Sequence, residues 1–158
     1  VPEALSLLPM DVRPDVVHQT GGKHIETTKT AYDSIGLHVN LVPFMKDMAQ
    51  AYAWADMVLC RAGALTVAEL CAVGLGAVFV PYPHSADGHQ AANADFMVSN
   101  SAAVSLPQAE LTPKKLAGLL RQFAESPASR LAMAKSAYRL RNPNVADKIY
   151  TFCEEAVS

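Results

Sequence analysis

The 158 residues are 51% apolar with a formal charge of −2, which suits one domain with one core and supplies no basic field for a nucleic-acid backbone. The longest apolar run, Leu75 to Pro81, has the length of a strand and falls far short of the roughly 20 residues that span a bilayer. The three cysteines lack metal-ligand spacing, and Cys60 and Cys71, in apolar runs, read as buried free thiols of a reducing compartment.

The chain opens at Val1 with no signal peptide and enters a helical pattern over 2–8 with no strand before it. An α/β domain rarely starts inside a crossover, so a fragment or processed chain is expected. Asp15 to Thr20 reads as a strand ended by Gly21-Gly22. Ile25 to Ile35 reads as a helix with Gly36 as its stop. His38 to Phe44 alternates as a strand, Asp47 caps a helix through Trp54, and Asp56 to Cys60 is a buried strand.

Gly63 opens a helix over Leu65 to Val73, stopped by Gly74. Ala77 to Pro81 is the next buried strand, and a polar stretch from Tyr82 to Gly88 leads into a helix over Gln90 to Val98. Ala102 to Leu106 is a short strand, and Thr112 caps a helix over Pro113 to Ala124. Two more helices follow, Pro127 to Leu140 and Ala146 to Ala156. Strand-length apolar runs alternating with amphipathic segments predict one α/β domain over 1–158, a doubly wound parallel sheet with helices on both faces. Ligands of such sheets sit beyond the carboxyl ends of the strands.

Three strand ends carry polar chemistry. The stretch Cys60-Arg61-Ala62-Gly63-Ala64-Leu65-Thr66-Val67-Ala68-Glu69 leads from a strand into a helix. Small Gly63 and Ala64 admit a ligand close to the backbone, and first-turn N–H groups suit a diphosphate. Thr66 adds a hydroxyl, and the Glu69 carboxylate can accept from a vicinal diol. Thr66 as a plain cap and Glu69 as an exposed helix residue are the bland alternatives.

The second place is Pro81 to Ala94, where Gln90 and Asn93 share a helix face and offer donors and acceptors for sugar hydroxyls, with His89 beside them. A polar loop before a surface helix is its alternative. The third is Pro43-Phe44-Met45-Lys46-Asp47-Met48, whose backbone at Phe44 and Met45 could meet a base edge with Met48 against the ring. Its alternative puts Phe44 and Met48 in the core. His18 reads as a core or strand-end histidine, and no Ser-His-Asp set or carboxylate pair stands out.

In order and spacing these stretches, with His18-Gln19-Thr20-Gly21, Ala51-Tyr52-Ala53-Trp54-Ala55-Asp56 and His89-Gln90-Ala91-Ala92-Asn93-Ala94, resemble the C-terminal domain of the MurG glycosyltransferases over most of the chain. The resemblance implies a Rossmann-like, donor-binding C-terminal half of a GT-B enzyme. That enzyme passes N-acetylglucosamine from UDP-GlcNAc to a lipid-linked muramyl-pentapeptide (lipid I to lipid II) in peptidoglycan synthesis, inverting and without metal or other cofactor. Carried over, Met45 backbone atoms face uracil and Met48 borders that pocket. Glu69 holds the ribose, Ala64, Leu65 and Thr66 contact diphosphate and sugar, and Gln90 and Asn93 hold the GlcNAc hydroxyls. The family's Gln-Gln pair is His89-Gln90 here, with one extra residue after Pro81.

The resemblance further implies an N-terminal domain that supplies the catalytic base and the lipid I site. It places the enzyme peripherally on the cytoplasmic face of the bacterial inner membrane. A first strand with its glycine-rich phosphate loop is expected just before Val1; without it and the N-terminal domain this chain is expected to be inactive, and as a fragment it is expected to be soluble. Three rivals are the donor-binding subunit of a split lipid-linked GlcNAc transferase, a UDP-GlcNAc 2-epimerase, and a domain that keeps the fold without a ligand. The second would need acid–base residues that are not found.

Overall fold

The computed structural model describes residues 1–157. Its five strands are short, and each pairing is parallel. β1 (Val17–Gln19) pairs with β2 (Asn40–Val42), Val17 opposite Asn40. β4 (Ala77–Phe79) lies between β3 (Val58–Cys60) and β5 (Ala103–Ser105), with Ala77 opposite Val58 and Ala103. The strands therefore form two ladders, β1-β2 and β3-β4-β5, rather than one continuous sheet. Each strand is trimmed relative to the sequence reading because regular pairing lasts only where neighbours overlap. Single bonds such as Thr20 N–H to the Val42 carbonyl and Leu106 N–H to the Phe79 carbonyl continue past the ends.

The helices are α1 (Pro2–Ser6), α2 (Ile25–Asp33), α3 (Met48–Trp54), α4 (Ala64–Val73), α5 (His89–Ser99), α6 (Pro113–Glu125), α7 (Pro127–Arg139) and α8 (Val145–Val157). Successive strand side chains point to opposite faces, and this alternation makes two cores. Ala77 and Phe79 join Val67, Leu70, Ala94 and Met97 of α4 and α5, whereas Val78 joins Leu5, Tyr32, Leu116 and Phe123 of α1, α2 and α6. Helices thus cover both faces, as the doubly wound reading requires.

Local signals set the helix ends. Asp47 Oδ1 accepts from the Gln50 N–H at 2.9 Å and Thr112 Oγ1 from the Lys115 N–H at 3.2 Å, each cap contributing about 1 kcal/mol. Gly74 closes α4 in the left-handed conformation, φ 70°. One reading changes. β3 is half-buried along its length, where burial was expected, and Cys60 with it, while Cys71 is buried. Among the described residues β3 has a strand partner on one edge, β4, whereas β4 is paired on both edges and fully buried.

Candidate functional site

The three sequence-defined places emerge at the carboxyl ends of β2, β3 and β4, each running into a helix. The turn after β3 is the tightest. Arg61, Ala62 and Gly63 join Cys60 to the first residue of α4, and Gly63 is the N-cap with no side-chain cap bond. The first intrahelical bond runs from the Val67 N–H to the Gly63 carbonyl at 2.9 Å. The N–H groups of Ala64, Leu65 and Thr66 precede it and are the helix's orphan donors, beside an 80% exposed Leu65. A Cβ built on Gly63 would meet nothing nearer than Thr66 Oγ1 at 3.6 Å, so the approach to these donors is open.

Glu69, on the same helix, is exposed and already engaged: the Tyr52 hydroxyl on α3 donates to its Oε2 at 2.8 Å. Burial, and then the bond to Glu69, push the Tyr52 phenol strongly upward, so it remains a donor. Burial also raises the Cys60 thiol to about 12, which leaves it protonated and a poor nucleophile at neutral pH.

The turn after β4 is longer and is shaped by backbone conformation. Asp87 and Gly88 both take positive φ, 47° and 69°, immediately before α5. The Gln90 side-chain oxygen accepts from the Tyr82 N–H at 2.9 Å, and Asn93 Nδ2 donates to the Ala62 carbonyl at 3.0 Å. Asn93 therefore ties the start of α5 to the turn after β3. Among the described residues no hydrogen bond occupies Gln90 Nε2 or Asn93 Oδ1. The pair thus keeps a donor and an acceptor for a ligand. His89 lies 3.9 Å from the Asp87 carboxylate, and both are largely exposed.

At the turn after β2, Phe44 is 70% exposed and Met48 36%, so neither is the core residue of the bland alternative. The Met45 N–H donates to Gln19 Oε1 at 2.8 Å, so a base edge that used this donor would displace Gln19. His18, read as a core or strand-end histidine, is neither: it is the middle residue of β1 and belongs to neither core cluster. It sits half-buried in β1, hydrogen-bonded to Tyr32 Oη at 3.1 Å, and burial lowers its pKa.

Sequence reasoning passed over Tyr52, Gln19 and Arg61. The Arg61 guanidinium donates to the Val80 and Pro81 carbonyls at 3.0 and 3.2 Å and to Gln108 Oε1 at 2.8 Å, and it stands 5.5 Å from the Tyr82 ring. It clamps the end of β4 from which the second turn departs. The one signal in the sequence was its place beside Ala62-Gly63, directly after a strand. Elsewhere, an open cavity lined by Leu5, Met10, Arg13, His38 and Trp54 lies by the amino-terminal ends of β1 and β2, away from these turns. Among the described residues no group of three or more His, Cys, Asp or Glu is arranged to hold a metal ion, and no helix is long and apolar enough to cross a membrane.

A parallel α/β domain with its polar residues gathered at the strand carboxyl ends has the Rossmann-like form, and its likeness to solved glycosyltransferases makes it the C-terminal half of a GT-B fold. The Glycosyltransferase family 28 C-terminal domain matches residues 1–149, and the chain belongs to that family. Two relatives are each named a UDP-N-acetylglucosamine--N-acetylmuramyl-(pentapeptide) pyrophosphoryl-undecaprenol N-acetylglucosamine transferase. The one from Marinobacter nauticus is 47% identical and the one from Nitrosococcus oceani 48%, each over the whole of this chain and 44% of its own length. The chain thus spans less than half the length of these relatives. The crystal structure of Acinetobacter baumannii MurG superposes with a TM-score of 0.89 at 36% identity, covering 98% of this chain and 46% of that one. The glycosyltransferase VinC, in complex with dTDP, shares the fold at a TM-score of 0.63 and 18% identity, covering 96% of this chain and 36% of its own.

Proposed function

We propose that this chain forms the UDP-GlcNAc site of an enzyme that transfers N-acetylglucosamine to a lipid-linked muramyl-pentapeptide, making lipid II from lipid I. The observation that carries the reading is the meeting of three recognition elements at one end of the sheet. These are the uncapped first turn of α4, the Glu69 carboxylate, and the unfilled donor–acceptor pair Gln90–Asn93. The whole-chain similarity to relatives named for that transfer supports it.

In this reading Ala64, Leu65 and Thr66 present first-turn donors to the diphosphate and its sugar. As the glycosidic bond breaks, charge grows on the β-phosphate, and fixed N–H dipoles that already point there lower the barrier. Glu69 accepts from the ribose diol. Gln90 and Asn93 read the sugar hydroxyls, with His89 beside them. Met45 backbone atoms meet the uracil, and Met48 borders it. A muramyl hydroxyl attacks the anomeric carbon with inversion and UDP leaves, with no metal or other cofactor. The base, the lipid I site and the attachment to the cytoplasmic face of the inner membrane belong to the remainder of the longer protein. A strand of that remainder, with its phosphate loop, occupies the break between the two ladders.

An amide NMR titration with UDP-GlcNAc, UDP-glucose and GDP-mannose tests the site. The expected result is a set of shifts confined to Met45, Ala64–Glu69 and Gln90–Asn93, strongest for UDP-GlcNAc. In the longer protein the same titration is followed by a lipid I transfer assay. No shifts there, with the fold intact, would refute the reading.

A further inference from the structure

Glu69 is exposed on α4, yet its carboxylate is held before any ligand arrives. The holder is Tyr52, seventeen residues earlier on α3, whose hydroxyl donates to Oε2 at 2.8 Å. The phenol is a stiff arm. Its ring is half-buried and packs on the core cluster that contains Val67, Leu70 and Cys71 of α4. Tyr52 also stands four residues after Met48, on the same face of the short α3 helix. One helix thus faces both the proposed uracil border and the proposed ribose acceptor.

We propose that Tyr52 is a positioning residue for the ribose subsite, fixing Glu69 so that Oε1 receives the vicinal diol and ribonucleotides are selected over deoxyribonucleotides. The proposal rests on the donor-site reading above. A carboxylate offers about four lone-pair positions. Tyr52 takes one of them on Oε2, which orients the group and leaves Oε1 for the ligand. An unheld glutamate on an exposed helix would populate several rotamers, and binding would have to order it. The phenol does not lose its proton near neutral pH, because burial and the Glu69 bond both raise its pKa. The rival view makes the bond a tie between α3 and α4, with no bearing on the ligand. The two views differ in which measurement Tyr52→Phe moves.

The test uses the full-length enzyme that carries this chain. Calorimetry measures UDP, 2′-deoxy-UDP and 3′-deoxy-UDP on the native protein, Tyr52→Phe and Glu69→Gln. The native protein is expected to favour UDP over at least one deoxy form by about tenfold, the loss for one unmade hydrogen bond to a charged group. In Tyr52→Phe that ratio should fall toward one, because UDP weakens and the deoxy forms do not. KM for UDP-GlcNAc should rise by a similar factor with kcat within about twofold, the signature of lost uniform binding. Glu69→Gln should collapse the ratio in the same way. A lowered melting temperature with an unchanged UDP-to-deoxy ratio in Tyr52→Phe would overturn the proposal in favour of the helix tie. Equal native binding of all three ligands would overturn it at its ribose premise. Failure of the native enzyme to bind any of them would instead overturn the donor-site reading.

Discussion

The turns after β3 and β4 start from neighbouring strands and end at helix N-termini, yet they present different chemistry. The first spends three residues, Arg61 to Gly63, and exposes backbone, since Gly63 contributes no side-chain cap to α4. The second runs on through Gly88, passes through two left-handed residues and delivers side chains, Gln90 and Asn93, to the same region. A short turn keeps helix dipole and amides near the strand end, which suits a fixed, highly charged group. A long turn carries variable side chains that can read hydroxyl pattern. Diphosphate and sugar are the two halves of the proposed ligand, and each turn has the form its half requires.

Gly63→Ala should break this division most sharply. Its φ of −68° suits any residue and its Cβ would clear Thr66 Oγ1 at 3.6 Å, so the melting temperature should hold. UDP-GlcNAc affinity should nevertheless fall at least tenfold, about 1.4 kcal/mol, because the methyl would stand in the proposed path of the phosphate. Equal affinity by calorimetry would mean that the backbone is not the anion contact. Gln90→Ala should weaken UDP-GlcNAc by roughly tenfold while UDP alone changes less than about twofold. A parallel loss for UDP would show that the second turn supports the first instead of reading the sugar.

Gly88→Ala separates conformation from contact. No atom lies within 4 Å of the added Cβ, but φ is +69°. The expected cost is about 1–2 kcal/mol of stability, and each kcal/mol corresponds to about 2–4 °C in the unfolding midpoint of a domain of this size. The smallest effect concerns the body of the domain. Burial lowers the His18 pKa below its ordinary 6.5. The folded state therefore favours neutral imidazole, and the associated stability is complete above pH 6.5 and lost as pH falls through the lowered value. Urea midpoints between pH 8 and pH 5 should decline, and less steeply in His18→Gln.

Much of the domain was legible because its signals are local. Asp47 and Thr112 announce helix starts, Gly36 and Gly74 announce stops, and apolar runs mark each strand. The residues of the first turn could be named from their place after Cys60. What escaped is what topology brings together. Tyr52 reaches Glu69 across 17 residues, Gln19 reaches the Met45 N–H across 26, and Arg61 reaches Gln108 across 47. No periodicity encodes these separations. They follow from parallel strands that align their carboxyl ends. The incomplete burial of β3 escaped for a related reason, since an apolar run does not state how many of its edges are paired.

Two glycines carry opposite instructions for anyone diversifying this chain. At Gly22 an added Cβ finds nothing within 4 Å, so a library may sample that position freely. At Gly76, just before β4, the same atom would fall 2.7 Å from Met133 Sδ and 2.8 Å from its Cγ. A methionine can yield by turning its chain, but its Cβ is itself only 3.2 Å away and moves with α7. Alanine at 76 would thus ask Met133 to turn and α7 to give by a few tenths of an ångström, and a smaller residue at 133 would relieve both demands. Positions 76 and 133 are therefore best varied as a pair.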